Sequence, residues 1–228
     1  MIWIVLIVAV VLLLLGPAWW VKHTLKKHGE DNSDLPGTGG ELAEHLAARF
    51  KLELTVEETQ QGDHYDPVDR AIRLEPRHFS GRSLSAVAVA AHEFGHALQH
   101  ATGFRPLLWR TRLAKVALIL QQLGAIAFLL APFSALITRS PIITGMLILV
   151  GLSNMLFSVL MHFITLPVEW DASFKRALPL LRDGEYLDEA QIKCAEQVLT
   201  AAALTYVSAA LKGILSVGQW WGLVRRLI

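Results

Sequence analysis

The stretch SPIITGMLILVGLSNMLFSVLMHFITLPVEWDAS, residues 140–173, decides the fold. From Ser140 to Val168 it holds no charged side chain, the titratable His162 aside. A helix needs about 20 apolar residues to cross the hydrocarbon core of a bilayer, and this run exceeds that. The stretch then turns polar, with Glu169, Asp171 and Ser173 in quick succession. On its N-terminal side, Val116 to Thr138 is a second uncharged run, separated by a short turn containing Arg139 and Pro141, so the pair reads as a hairpin of spans. Met1 to Val21 is a third such run, and Gln197 to Val224 is interrupted by Lys212 alone. Hydrophobic residues make up 53% of the 228 and charged residues 18%. Composition and run length together select a mainly α, polytopic membrane protein.

Charge fixes an expected orientation. Lys22, Lys26, Lys27, Arg105, Arg110, Arg112, Lys115, Lys175, Arg176 and Arg182 flank one side of the spans, ten in all, against Arg139 on the other, joined by Arg225 and Arg226 if the last segment crosses rather than dipping into the interface. Ten against three puts the first group in the cytoplasm. Met1 to Trp20 has no basic start and no small-x-small cleavage site, and Trp19 and Trp20 form an interfacial belt before the lysines. It reads as an uncleaved anchor. The net charge of +1, with no basic stripe, gives no sign of a nucleic-acid partner. Cys194 is the single cysteine, so no internal disulfide can form; it reads as a packing residue in a reducing compartment.

Between anchor and hairpin lies a small α+β segment. Residues 29–40 are a Gly, Asp, Asn, Ser and Pro-rich linker. Leu42, Leu46 and Ala47 recur at helical spacing, predicting a short amphipathic helix over Gly39–Phe50. Leu52–Val56 and Ala71–Leu74 alternate as two strands, joined through Gln60–Pro67. Ser80 and Ser83 are candidate N-caps for a helix running to Thr102, where Gly103 stops it. The first half of that helix, Leu84–Ala91, is small and apolar nearly all round, which suits a buried, closely packed platform.

That platform carries His92-Glu93-Phe94-Gly95-His96, an H-E-x-x-H pattern. Residues i and i+4 share a helix face, so both imidazoles can meet one zinc ion, and Glu93 can reach a water bound to it. Catalytic zinc takes three protein ligands. His100 lies two turns from His92, roughly 12 Å along the axis, too far to share one ion from the same helix. Glu169 emerges where a span ends at the membrane surface and is the better third ligand; Asp171, Glu185, Glu189 and Glu196 remain chemically able. The hairpin returns Glu169 to the side of the histidines.

The strings Val89–Gln99, Leu166–Ser173 and Asp63-His64-Tyr65-Asp66-Pro67 resemble the YugP-type neutral zinc metallopeptidases of bacterial membranes, over nearly the whole chain. More distantly the chain is similar to HtpX-type and CAAX prenyl membrane proteases. The resemblance implies a gluzincin-like zinc helix, with His92, His96 and Glu169 as metal ligands and Glu93 as catalytic base. It implies Zn2+ as cofactor and a zinc metalloendopeptidase acting on membrane or membrane-proximal proteins or peptides. Its expected place is the bacterial inner membrane, multi-pass, with the active site facing the cytoplasm. Those wider relatives carry an aspartate four residues after the glutamate ligand to orient a histidine; here that position is Ser173, and Asp171 is two along.

The expected division is an anchor (1–21), a cytoplasmic peptidase segment (22–112), a two-span hairpin (113–167), a cytoplasmic third-ligand segment (168–196) and a C-terminal membrane segment (197–228). His64, Tyr65 and Tyr206 are candidate oxyanion donors, and the strand Ala71–Leu74 is a candidate edge for an extended substrate. His162 is an intramembrane titratable group and a functional suspect. Pro179 with Asp183-Gly184 mimics the second motif of site-2 intramembrane proteases, in a segment too polar for the bilayer interior. Expected partners are the substrate and the lipid bilayer; a homo-oligomer or an unidentified membrane partner is left open. A rival reading is a non-catalytic membrane scaffold or partner subunit with a structural or vestigial metal site; the retained histidines and Glu93 argue against decay, and a purely structural site has no need of Glu93.

Overall fold

The structure is a computed structural model that describes residues 2–30 and 34–227. Side chains beyond Leu215 lie outside the described set. The N-terminal apolar run is one helix, α1 (Ile2–Lys27), which ends on Lys26 and Lys27.

Helix α2 spans Gly39–Phe50, as its periodicity predicts, and begins with a capping box in which Thr38 and Glu41 bond each other's backbone N–H. It buries Leu42, Ala43, Leu46 and Ala47 against the zinc-motif helix α4 (Leu84–Ala101), which starts at Ser83, whose hydroxyl accepts from the Ala86 N–H at 3.1 Å. Ser80 instead closes the short helix α3 (Pro76–Phe79). Gly103, at φ 63°, takes the left-handed conformation that ends α4.

The sheet differs from expectation. It has three strands, β1 (Thr55–Glu58), β2 (His64–Asp66) and β3 (Ala71–Leu74), in the order β1-β3-β2. Pairing of β1 starts at Thr55 because Leu52 and Leu54 pack their side chains against the core before the ladder begins. Part of the expected connection is itself a strand, antiparallel to β3. Asp66 closes the β2–β3 turn, accepting from the Val68 N–H at 2.8 Å and from Arg73 at 2.8 Å. Since β3 is paired on both sides, it cannot add a substrate strand; only β1 and β2 have free edges.

Three helices among the described residues are long and apolar enough to cross a membrane: Arg105–Thr138, Pro141–Asp183 and Glu189–Leu215. The first is α5 (Arg105–Thr138) and the second starts as α6 (Pro141–Trp170), its antiparallel partner. Pro167 does not end α6, which runs on through a π-helical stretch (Asp171–Ala177) into α7 (Leu178–Asp183). The last helix, α8 (Glu189–Leu227), leans on α6 and α1. The sequence boundaries at 167/168 and 196/197 therefore fall inside continuous helices.

The core lies under the zinc-motif helix, where Leu46, Ile72, Phe94, Leu181, Ile192 and Leu199 are buried together. Burying a side chain of this size contributes about 1.5–3 kcal/mol relative to leaving it exposed. Helices α2, α4, α7 and α8 and the sheet all enter this one cluster, which fixes α4 relative to the end of α6.

Candidate metal centre

Helix α4 meets the π-helical stretch at Gly95. A Cβ on Gly95 would lie 2.6 Å from the Ala172 carbonyl oxygen, backbone against backbone, so no side-chain motion could relieve it. This close approach brings Glu169 over the histidine pair. Glu169 Oε2 lies 3.2 Å from His92 Nε2 and 3.4 Å from His96 Nε2. Two ligand atoms at 2.0–2.1 Å from a tetrahedral zinc are about 3.3 Å apart, so these separations fit one shared ion. The three donor atoms all lie within 4.8 Å of one another.

The outward ring nitrogens are held. His92 Nδ1 is 3.0 Å from Ser173 Oγ, and His96 Nδ1 is 3.0 Å from Gln99 Oε1. Gln99, fully buried, donates through Nε2 to the Val168 carbonyl at 2.8 Å and to Asp171 Oδ2 at 2.9 Å, and Arg176 Nε donates to the same carboxylate at 2.7 Å. Each Nε2 is thereby left facing Glu169, the arrangement in which outer partners orient metal-binding imidazoles. Ser173 thus holds the His92 ring, and Asp171 is linked to His96 through Gln99. Burial disfavours the charged form of His96, but hydrogen bonding to Glu169 and the charges of Glu169 and Glu93 outweigh it and raise its pKa above the ordinary value. The same negative field favours a divalent cation.

A cavity of about 350 Å³ opens on this cluster. Glu93, buried, lines it beside His92 and His96, as do His64, Tyr65, Arg110 and Tyr206. The tautomer of His64 is set by Nδ1 at 2.8 Å from the Gly62 carbonyl, and the Tyr65 hydroxyl is 2.9 Å from His100 Nδ1. His100 is thus engaged away from the cluster. Arg110, with Nη2 3.6 Å from Glu169 Oε1, was not singled out from the sequence; neither was Gln99, whose signal is a polar residue three positions after His96 on an apolar helix. The other carboxylates considered are elsewhere: Glu185 and Glu196 are exposed, and Glu189 faces Arg182. Asp183 is exposed and lines no part of the cavity.

A second group, Asp63, Glu75 and His78, also holds its ligand atoms within 4.8 Å. There both Asp63 oxygens already accept hydrogen bonds, from the Glu75 N–H at 2.8 Å and from His78 Nδ1 at 2.7 Å, and Glu75 pairs with Arg77. This group braces the start of α3 against β2.

Two substitutions test the support of the centre. Ser173→Ala should weaken zinc binding by roughly 10–100-fold while leaving the fold intact, as read by chelator competition. Gly95→Ala should push α4 off the π-helical stretch and lower both zinc retention and folding stability. Wild-type affinity in either variant would contradict the geometry.

The family model described as "Putative neutral zinc metallopeptidase" matches residues 2–225 of the chain. The protein named "Putative membrane protease YugP" from Bacillus subtilis (strain 168) is 34% identical over 206 residues, covering 86% of this chain and 87% of that protein. No solved structure matches the chain.

Proposed function

The chain belongs to this neutral zinc metallopeptidase family, and on that premise we propose that it is a membrane-anchored zinc endopeptidase with a gluzincin-like centre. His92, His96 and Glu169 hold the zinc, Glu93 is the general base, and the substrates are membrane or membrane-proximal proteins. The observation that supports this most is the convergence of two oriented imidazoles and one buried carboxylate on a single point in a cavity that Glu93 also lines.

Bound there, zinc would supply a Lewis acid and lower the pKa of a coordinated water to about 7. The chain's own residues do the rest. Glu93 takes a proton from the attacking water and returns it to the leaving amine nitrogen. Ser173, Gln99 and Asp171 hold the imidazoles in one tautomer and orientation. Arg110 and the Tyr206 side chain face the same cavity and limit how a peptide can lie in it. The ten-to-three lysine and arginine count supports a cytoplasmic orientation in a bacterial inner membrane.

Purified in detergent, the chain should carry one zinc per molecule. Dialysis against a chelator should abolish cleavage of casein, and added zinc should restore it. Cleavage that survived complete removal of zinc would overturn the proposal.

A further inference from the structure

A second cavity, of about 320 Å³, lies among α5, α6 and α8, deeper in the apolar part of the molecule. Its lining includes Gln121, Asn154, Ser158 and His162. Asn154, Ser158 and His162 recur every four residues, so they form one stripe along α6. Gln121 and Ser158 are exposed, and Asn154 and His162 are half-buried. None of the four side chains makes a hydrogen bond among the described residues, and their unpaired polar atoms are open to the groove rather than sealed in the core. Other hydroxyls in the spans are paired: Ser153 donates to the Leu149 carbonyl at 2.8 Å, and Thr138 to the Ser134 carbonyl at 2.8 Å. Unpaired amides and hydroxyls are expensive in hydrocarbon, where no water replaces the missing partner.

This groove lies in line with the metal centre on all three helices. On α5, Thr111 and Ala114 line the upper cavity, and Ala117 and Gln121 continue the same face into the groove. On α6, Glu169 is followed seven residues back by His162. On α8, Tyr206 lines the upper cavity and Gly213, seven residues on, the lower one. Measured along α6, the stripe runs from about 10 Å to about 22 Å below Glu169. Helix α6 forms the floor. It packs closely on α5, where a Cβ on Gly124 would lie 2.6 Å from the Asn154 side chain, and on α8, where one on Gly213 would run into the Val159 side chain. Among the described residues α5 and α8 touch each other marginally at most, which leaves the groove open sideways between them.

We propose that this groove docks the transmembrane helix of a substrate protein, one bearing an amide or hydroxyl side chain, and so presents the adjoining peptide to the metal centre. The inference rests on the proteolytic reading above. Alignment with the centre selects a substrate over any other occupant, because a chain lying along the stripe points toward the cavity that Glu169 lines. A phosphate-bearing lipid finds no lysine or arginine in the lining. The polar stripe sets the preference: an occupant with an Asn, Gln, Ser or Thr some 7–15 helical positions from the cleaved bond satisfies the unpaired groups, and an all-leucine span does not.

The test uses the full chain in phosphatidylethanolamine–phosphatidylglycerol liposomes, with Cys194→Ser and Glu93→Gln so that binding is read without cleavage. Two synthetic single-span peptides serve as probes, one all-leucine and one with Asn eleven positions into the span, each with a neighbouring cysteine, and copper–phenanthroline with air supplies the oxidant. Ser158→Cys should form a disulfide with the Asn peptide at least fivefold faster than with the all-leucine peptide. Leu156→Cys, exposed on another face of α6, should show no such preference. Adding Asn154→Leu and His162→Leu should erase the preference, while with Glu93 restored that double variant should cleave casein within twofold of wild type. Equal reaction at Leu156→Cys, no preference for Asn, or a disulfide between two copies through Ser158→Cys would each overturn the proposal. Failure of the wild type to cleave casein would instead remove the proteolytic reading, and the disulfide result would still decide what the groove binds.

Discussion

Glu93→Gln is expected to keep its zinc and to lose between 10²- and 10⁴-fold in peptide hydrolysis, the usual contribution of a positioned general base. The amide matches the carboxylate in size, so the buried side chain packs as before, but it cannot take up a proton. Glu93 is not among the three converging donors, so metal content should not change. Zinc analysis beside casein cleavage separates the two effects. Full activity in the variant would move the base elsewhere, with His64, on the same cavity wall, the first residue to examine.

Glu169→Ala should act in the opposite way, abolishing activity by releasing the metal. Two imidazoles from one helix remain, Arg110 loses the carboxylate that faces it, and α6 no longer contributes to the site. The loss of zinc affinity should exceed the roughly 10–100-fold expected of an outer partner such as Ser173. Isothermal titration of zinc into apo protein gives the order directly: wild type tightest, Ser173→Ala intermediate, Glu169→Ala weakest. Equal affinity for wild type and Glu169→Ala would remove Glu169 from the ligand set.

Much of this arrangement was legible in the sequence because the governing signals are local or one-dimensional. Run length marks the spans, a four-residue spacing pairs His92 with His96, and Ser83 and Gly103 mark helix ends. A hairpin of two spans must bring Glu169 back to the side it left, so topology alone could put it near the histidines. What escaped depends on pairing across distance. The three residues of β2 have too little periodicity to stand out, and only the register with β3 makes them a strand. That register also changed β3 from a candidate edge into the central strand. The role of Gln99 was hidden because its partners, Val168 and Asp171, come from another helix, about seventy positions on. Ser173 seemed a departure from the wider pattern, yet its hydroxyl reaches the His92 ring at 3.0 Å.

The third donor lies 73 positions beyond His96, on the far side of the α5–α6 hairpin. A nascent chain that has emerged as far as α4 therefore carries two histidines and a base but no complete centre. The carboxylate joins the pair only when the last turn of α6 has packed beside α4. With the topology proposed above, membrane insertion would be the step that finishes the candidate site. On the proposed reading, chain order makes packing of the α5–α6 hairpin a precondition for hydrolysis.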